Sequence, residues 1–516
     1  MGMKRKMEKK EKLIPLGIFA LALFAYLGTL LPGVGFWDTG VFQVIPYTLS
    51  FTHPTGYPFY ILFGKAFCFL EPFGSIAFRM NLLSALSASA AASFIYLLCR
   101  RLEAEEYLSL GAALTFAFSQ IFWRTAVRAD PHTLHAFLVV LLLGLAVKWH
   151  QNEENKKRKP RLLAWLAFLY GLSLGNHMMM TMLGPALFVF VLSSEKKLLR
   201  QGRRLLGLFG LFLLGASVYL YLPIRSAMNP PIRADYPLND WSNFWQYALG
   251  QDFKGEMNFL SPNGPRHFVE NLPRFLGTLS DSISPIGLWA VLILAAFGLF
   301  RLFRKDRAIF FLFSLALLIP LYAALSYVNG DIDRYYFTAF EILVVLAALG
   351  GTALLSGYEK IGNYFERIEE SLAKLEKREA LPSRWPDLRW LALAAVILPL
   401  SLIPLNRGRV GNISAEHFGK EFLRVAKPEA LVMSWWNYST PLWYLHFAEG
   451  KRPDIEIYNG IDKVPAELAR RFDGKRPIYL IQPGDRIEAL SKEYRLERVF
   501  LACGETVYEV KAKTIK

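Results

Sequence analysis

The sequence is poor in cysteine and in charged residues, and it lacks the common nucleotide- and zinc-binding motifs. Its three cysteines, Cys68, Cys99 and Cys503, are far apart, which excludes a disulfide scaffold, and no Cys/His group has zinc-site spacing. Charged residues make up 20% of the 516 positions and hydrophobic residues 53%, so an intrinsically disordered chain is excluded. Because it has no Walker loop, G-x-S-x-G or H-E-x-x-H motif, nothing supports a nucleotide-driven pump or a zinc protease.

The hydrophobic residues are concentrated in long blocks, which is typical of a polytopic α-helical membrane protein. A helix that crosses a bilayer needs about 20 apolar residues. The net charge of +16 is spread over short basic runs between the blocks, which favours membrane orientation over nucleic-acid binding. By this criterion the sequence predicts about eleven transmembrane helices, at residues 13–31, 78–99, 107–123, 133–149, 162–176, 178–194, 205–223, 285–303, 308–327, 336–356 and 388–405.

The basic runs also predict the orientation of the chain. The basic head at residues 1–12 places the N-terminus in the cytoplasm, and no A-x-A cleavage site follows the first helix. The block 162–192 is predicted to break at 175–177, because only then do the basic segments 148–161 and 194–204 share one side. The inner segment 357–389 is expected to form a charged surface helix. The segments predicted to lie outside are 32–77, 124–132, 176–177, 224–284, 328–335 and everything after 406.

The last part of the chain differs from the rest. After a membrane domain at 1–406, residues 407–516 are predicted to form a small extracytoplasmic α/β domain, because their apolar runs have strand length and alternate with helical patterns. This alternation favours a partly parallel sheet. The predicted strands are 430–435, 454–458, 477–481 and 499–502.

Carboxylate, imidazole and guanidinium groups gather in the outer loops. Each alone has a simple structural explanation: Asp38 could cap a helix, and Arg225 could anchor a helix end at the membrane interface. Together they allow chemistry on a lipid-linked phosphate, because a carboxylate can act as general base while Arg and His stabilise a phosphate leaving group. The candidate site residues are Asp38, His53, Tyr57, Arg128, Asp130, His177 and Arg225.

Several motifs resemble one family. D-x-G at 38–40 followed by H-P-T-G-Y-P at 53–58 resembles a broad group of membrane proteins, long grouped only as a domain of unknown function. That group belongs with the protein O-mannosyltransferases in the GT-C superfamily of lipid-dependent glycosyltransferases. The chain departs from its pattern at Val41, His132 and Asn437, where the family usually has Glu, Tyr and Asp. Further similar segments are AFRMNLLSALSASAA (77–91), AVRADPHTLHAF (126–137), GLSLGNHMMM (171–180), YLPIRSA (221–227) and 430–455.

The resemblance implies a GT-C-like fold and a glycosyltransferase. Such an enzyme moves a sugar, mannose in this family, from a polyprenyl-phosphate donor to an acceptor hydroxyl, here expected on protein Ser/Thr or a glycan, on the extracytoplasmic face. Asp38 would be the general base, and Asp130 would support it or hold a metal. No cofactor is certain, although Mg²⁺ or Mn²⁺ could bind carboxylates. The residues expected to contact the donor phosphate or shape its pocket are His53, Tyr57, Arg128, His177 and Arg225.

Three other interpretations remain open at this point. A transporter would place ionisable groups inside the spans, where Glu341 is an exception to an otherwise nearly uncharged interior. A non-catalytic membrane scaffold would use its outer domain to bind a partner. A GT-C enzyme with another sugar or acceptor fits the same motifs. The chain has no organelle-type tail, which favours a prokaryotic cell membrane, and its partners are membrane lipid and the sugar carrier rather than nucleic acid.

Overall fold

The apolar blocks form helices, since a backbone surrounded by lipid can satisfy its N–H and C=O groups within a helix. The computed structural model describes residues 2–71, 73–152, 158–328, 330, 332–375, 389–407 and 414–514. The prediction of a polytopic helical membrane protein is confirmed, whereas the number of eleven spans is not. Among the described residues six helical segments are long and apolar enough to cross a membrane: Ile76–Arg101, Pro131–His150, Gly202–Ala227, Pro285–Lys305, Arg307–Leu325 and Asp333–Leu375. Shorter apolar helices lie at Leu13–Leu27, Pro58–Leu70, Glu106–Phe118 and Met178–Ser194.

The described part of the chain before residue 408 contains eighteen α-helices. Short 3₁₀ turns separate some of them, at Met178–Leu183, Lys196–Arg200, Ser217–Leu220, Gln251–Phe253 and Asp333–Tyr336. In chain order the helices are α1 Gly2–Leu27, α2 Trp37–Thr48, α3 Pro58–Leu70, α4 Ile76–Arg101, α5 Glu106–Phe118, α6 Gln120–Ala126, α7 Pro131–His150, α8 Arg158–Leu174, α9 Gly184–Ser194, α10 Gly202–Ala216, α11 Tyr221–Ala227, α12 Trp241–Ala248, α13 Gly264–Ile283, α14 Pro285–Lys305, α15 Arg307–Leu325, α16 Phe337–Leu375, α17 Arg389–Leu400 and α18 Leu402–Arg407.

The predicted break between the fifth and sixth apolar segments is confirmed. Helix α8 ends at Leu174, and the chain turns before the 3₁₀ segment that starts at Met178. At this turn the carbonyl of Gly175 accepts the backbone N–H of Phe59, at 2.8 Å, so the start of α3 packs against the break. The predicted charged surface helix at 357–389 is in part the continuation of α16 to Leu375, and residues 376–388 lie outside the described residues.

The C-terminal part contains a five-stranded mixed sheet, which confirms the expected partly parallel α/β arrangement. The strand order is β2-β1-β3-β5-β4, in which β1 pairs in parallel with β2 and β3, and β5 pairs antiparallel with β3 and β4. The last strand was not predicted from the sequence. The strands are β1 Leu431–Ser434, β2 Glu456–Asn459, β3 Ile478–Ile481, β4 Tyr494–Phe500 and β5 Thr506–Lys513, and the helices are α19 Ser414–Val425, α20 Trp436–Trp443, α21 Val464–Arg471 and α22 Gly484–Ser491.

The sheet domain packs against the end of the bundle that carries α2. Phe418 of α19 and Leu442 of α20 are fully buried and belong to the same apolar core as Val41 of α2. At the opposite end of the bundle, Nε2 of His150, the last residue of α7, lies 2.9 Å from a carboxylate oxygen of Asp306, which connects α14 and α15. The sheet domain and the N-terminal end of α2, which carries Asp38, therefore lie at one end of the membrane part. The basic loops lie at the other end.

Candidate active site

Asp38 lies in the first turn of α2, where the helix N-terminus favours a negative charge. Its Oδ2 accepts a hydrogen bond from Nη2 of Arg334 at 3.1 Å, and its Oδ1 accepts one from the indole Nε1–H of Trp436 at 3.1 Å. The side chain of Asp38 is 28% exposed. The carboxylate is therefore held on both oxygens while it still reaches solvent-accessible space.

Asp130 is the N-cap of α7 and is almost completely buried. Its Oδ1 accepts the backbone N–H of His132 at 2.9 Å and lies 2.7 Å from Nδ1 of the same ring, while its Oδ2 accepts from Nη1 of Arg334 at 2.7 Å. The guanidinium of Arg334 thus bridges the two carboxylates that the sequence analysis selected. The three groups form one charge cluster, in which Arg334 and Asp130 are buried and Asp38 is half-buried.

Two amide side chains bring the acid-bearing loops together. Asn81 of α4 donates to the carbonyl of Leu31 at 2.7 Å, and its Oδ1 accepts the backbone N–H of Ala129 at 2.7 Å. Gln43 of α2 donates to the same Asn81 oxygen at 2.9 Å. Because buried amides need several partners, this network fixes the segment before Asp38 relative to the segment before Asp130.

The charges around the cluster keep both acids ionised. Burial opposes ionisation of Asp38, but the positive charge of protonated His53 and the charge and hydrogen bond of Arg334 hold its pKa below the ordinary value. Burial also opposes ionisation of Asp130, and Arg334 and His132 outweigh it, so the pKa of Asp130 lies far below the ordinary range. Burial lowers the pKa of His53 itself below the ordinary value.

A cavity of about 400 Å³ opens beside Asp38. Its walls are mainly aromatic and methionine side chains, with a few polar groups among them, which is the usual composition of a ligand pocket. Both the membrane part and the C-terminal sheet domain contribute to it. The lining residues are Trp37, Asp38, His53, Pro54, Thr55, Tyr57, His177, Met178, Met179, Met182, Phe253, Met257, Phe259, Ala323, Tyr327, Arg334, Tyr335 and Trp436.

His177 presents a hydrogen-bond donor at this cavity. Its Nδ1 accepts the backbone N–H of Met179 at 3.1 Å, so in the neutral ring the proton must be on Nε2. Burial, followed by the charge of His132, lowers the pKa of His177 well below the ordinary value, which keeps the ring neutral. Within the described residues the buried Nε2 has no hydrogen-bond partner. The Nε2–H is therefore an unpaired donor on a residue that lines the cavity.

His53 and Tyr57 place further polar groups at the cavity. The His53 Nδ1 is 3.0 Å from the hydroxyl oxygen of Thr52, and its Nε2 is 3.0 Å from the hydroxyl oxygen of Tyr57. The ring of Phe42 packs edge-on against both aromatic rings. The H-P-T-G-Y-P turn thus holds two side chains at the cavity by a hydrogen bond and by ring packing.

Two predicted arginines lie elsewhere. The Nε–H of Arg225 donates to the carbonyl of Leu49 at 2.8 Å and its Nη2 lies 3.4 Å from the carbonyl of Thr48, so its guanidinium caps the C-terminus of α2. Arg128 is half-buried and acts on the charge of Asp130, but it is outside the lining of the cavity. The phosphate contact predicted for each of them stays a prediction.

Arg334 and Trp436 were not selected as site residues from the sequence. Arg334 lies in the segment NGDIDRYY, which is rich in charged residues. Several other predicted outer loops are polar too, so this property does not distinguish Arg334. The available signal was that two acids beside apolar segments, Asp38 and Asp130, require a compensating cation wherever they are removed from water. Trp436 lies in the segment 430–455, and no local property of it points to a carboxylate 398 positions away.

The described residues contain no group of three His, Cys, Asp or Glu side chains arranged to hold a metal ion. The oxygens of Asp38 and Asp130 already accept hydrogen bonds from Arg334 and from other N–H groups. The arrangement of these carboxylate oxygens fits the guanidinium of Arg334 better than it fits Mg²⁺ or Mn²⁺. Binding of a divalent cation stays a prediction from the sequence.

The chain is similar to known proteins over the part that carries this site. A family model described as the protein O-mannosyl-transferase TMEM260 N-terminal domain matches residues 38–200, which include Asp38, His53, Asp130 and His177. The chain is 25% identical over 465 residues to the protein O-mannosyl-transferase TMEM260 of Mus musculus, covering 85% of this chain and 61% of that protein. It is 23% identical over 488 residues to the corresponding protein of Dictyostelium discoideum, covering 85% and 56%.

The chain therefore spans about three-fifths of the length of the curated relatives that it matches. Both relatives are eukaryotic, and the expected prokaryotic cell membrane stays a prediction. These matches confirm the resemblance to O-mannosyltransferase-like proteins.

Solved structures show the same fold. ArnT from Cupriavidus metallidurans, bound to undecaprenyl phosphate, has a TM-score of 0.59 at 12% identity, with 96% of this chain and 97% of that chain covered. The Archaeoglobus fulgidus oligosaccharyltransferase, tethered with an acceptor peptide, has a TM-score of 0.54 at 14% identity, with 96% and 74% covered. The expected GT-C-like fold is thus confirmed.

Proposed function

We propose that this chain, a GT-C-fold relative of the TMEM260 O-mannosyl-transferases, is a glycosyltransferase that moves a sugar from a polyprenyl-phosphate donor to a hydroxyl group of a protein. The observation that carries the proposal is the ionised Asp38 at an aromatic cavity, held by Arg334 and Trp436. Mannose is the proposed sugar because the curated relatives are named for it. A Ser or Thr hydroxyl is the proposed acceptor.

The proposed reaction is a single displacement at the anomeric carbon. Asp38 takes the proton of the acceptor hydroxyl as the new bond forms between the acceptor oxygen and the sugar carbon. The bond between that carbon and the phosphate oxygen breaks, and its electron pair leaves with the polyprenyl phosphate. Attack from the face opposite the phosphate would invert the configuration. Each carboxylate oxygen has a second lone pair, so the two hydrogen bonds at Asp38 leave acceptor capacity for this proton.

The neutral imidazole of His177 is the proposed donor to the leaving phosphate. Its Nε2–H is fixed by the Met179 backbone N–H and buried at the cavity. Negative charge on the phosphate increases as the sugar bond breaks, so a preset N–H donor stabilises the transition state more than the ground state. His53 and Tyr57 add polar groups to the same cavity, and the ring of Tyr57 packs edge-on against that of His177.

The cavity is proposed to face the non-cytoplasmic compartment, with the N-terminus in the cytoplasm. The basis is the positive-inside rule, since the end of the bundle opposite the cavity carries the basic loops around Arg101 and Arg304. A lipid-linked phosphate would enter at the headgroup level, where the cavity opens between α2, α15 and the sheet domain.

A transfer assay with a defined donor tests the proposal. Purified chain in liposomes would be given polyprenyl-phosphate [³H]mannose and a Ser/Thr-rich acceptor peptide, and labelled peptide would be measured. The proposal expects a β-linked mannosyl donor to yield an α-linked product. A parallel assay with polyprenyl-phosphate glucose shows which of the two sugars is transferred. Solute flux without any sugar transfer would favour the transporter interpretation. If the chain shows neither sugar transfer nor solute flux, both interpretations are contradicted.

Substitution of His177 by Leu should lower kcat/KM for the donor about 10- to 100-fold, mainly through kcat, the size of one lost hydrogen bond to a charged group. His177→Gln retains an N–H donor and should lose less. The measurement is initial rate against donor concentration. His135→Leu is the matched control: it removes another buried imidazole of the same cluster, one that bonds Thr338 and is outside the cavity lining. Equal kcat and kcat/KM values for the donor in all four proteins would remove His177 from the phosphate site.

A further inference from the structure

We propose that the C-terminal sheet domain is part of the active site, with Trp436 as a positioning residue for the general base. This inference rests on the proposed function, since it assigns the base role to Asp38. The indole Nε1–H of Trp436 donates to Asp38 Oδ1 at 3.1 Å, and the ring lines the cavity. The domain that supplies this side chain begins beyond the last membrane helix, so the site is completed by a part of the chain outside the membrane.

Trp436 has little freedom to move. It begins α20 directly after the fully buried strand β1, which pairs in parallel with strands on both sides. Its ring packs edge-on against His53, with centroids 6.0 Å apart, and against Trp443 at 5.9 Å. A short turn between a central strand and a helix therefore fixes where the indole N–H points.

The sheet domain is seated closely on the helix that carries Asp38. A Cβ atom at Gly40 would lie 2.7 Å from Oγ1 of Thr440, so only glycine permits the observed approach of α2 and α20. The hydroxyl of Tyr444 accepts the backbone N–H of Ala77 at the start of α4, at 3.0 Å. These contacts, made by α20 and by the residue that follows it, hold the two parts of the molecule in one arrangement.

Two donors on two oxygens determine how the carboxylate is turned. Arg334 holds Oδ2 and Trp436 holds Oδ1, so rotation of the carboxylate plane of Asp38 breaks at least one hydrogen bond. A base must present its lone pair to the acceptor hydroxyl within hydrogen-bond reach, and small misplacement lowers the rate. Trp436 therefore acts through Asp38 rather than on the substrate.

The charged groups around Asp38 come from other elements. Arg334 faces it from the 3₁₀ turn before α16, and His53 faces it from the loop before α3. Asp130 and His132 act at one remove through Arg334. From α20 the contribution is the uncharged indole N–H. Its removal leaves every charge in place and raises the pKa of Asp38, because that hydrogen bond stabilises the ionised form.

Two matched substitutions at adjacent tryptophans test the inference. Trp436→Phe keeps an aromatic ring and removes the N–H. Trp435→Phe makes the same chemical change one residue earlier, where the ring packs edge-on against Trp37 at 5.0 Å. We expect Trp436→Phe to lower kcat for mannose transfer by about 10-fold or more. We also expect the acidic limb of its pH–rate profile to move to higher pH, with little change in donor KM. Trp435→Phe should retain the wild-type kcat and acidic limb.

The outcomes separate this inference from the proposed function. If the wild type transfers sugar and the two variants have the same kcat and acidic limb, the inference is wrong and the function stands. If the wild type transfers no sugar, the proposed function is wrong, and the unfolding midpoint measured against pH still reports the contact. The depressed pKa of Asp38 contributes stability above its unfolded pKa that is lost as pH falls, and Trp436→Phe should show less of this loss than Trp435→Phe. Equal losses would overturn the contact.

Discussion

Replacement of Asp38 by Asn is expected to lower the rate of sugar transfer by on the order of 10²–10⁴, the usual contribution of a general base. Asn has nearly the same shape and can still accept the indole N–H of Trp436, but it cannot take the acceptor proton at neutral pH. The fall should appear in kcat rather than in donor KM. Single-turnover transfer from polyprenyl-phosphate mannose measures the chemical step directly.

Asp333→Asn is the matched control for this prediction. Asp333 is on the same face and pairs with Arg274 at 3.0 Å, but its side chain is 43% exposed and outside the cavity lining. The same charge loss there should leave the rate near that of the wild type. A folded Asp38→Asn protein with full activity would show that another group removes the acceptor proton.

The second large effect is expected on stability. Replacement of Arg334 by Met should destabilise the fold by about 3–5 kcal/mol, because it leaves the buried Asp130 without its main countercharge. The side chains of Arg334 and Asp130 are 9% and 1% exposed, so solvent screens their interaction little. Burial raises the pKa of Asp130, but the charge of Arg334 outweighs burial, so the folded-state pKa of Asp130 is strongly depressed. Ionised Asp130 therefore contributes stability above its unfolded pKa of about 3.9, and this contribution falls as the pH drops below that value. Unfolding should therefore be compared at neutral pH in detergent.

Two further variants locate the cause. Asp130→Asn combined with Arg334→Met should be more stable than Arg334→Met alone, since the uncompensated charge is removed. Arg274→Met breaks the exposed pair with Asp333 in the same part of the chain and should cost less than about 1 kcal/mol. If Arg334→Met is as mild as Arg274→Met, the buried bridge between the two acids does not stabilise the fold.

The site was only partly predictable from the sequence. Asp38, His53, Tyr57 and His177 were selected because polar side chains are rare beside long apolar segments and these lie at their ends. They line the cavity, and the roles predicted for them stay predictions. The selected Arg225 instead caps α2, and the guanidinium at the cavity belongs to Arg334. Several outer loops carry an arginine, and no local pattern distinguishes the one that packs between the acids.

The sequence by itself determined the helical membrane architecture, the break near Gly175 and the mixed sheet at the C-terminus. These properties depend on hydrophobicity and residue spacing over about 20 positions or fewer, which a linear chain displays directly. The tertiary structure alone decided that Arg334 bridges Asp38 and Asp130, over 296 and 204 positions, and that Trp436 reaches Asp38 over 398. Such contacts depend on which helices become neighbours, because the pairing energy of two distant side chains leaves no periodic pattern in the sequence around either of them.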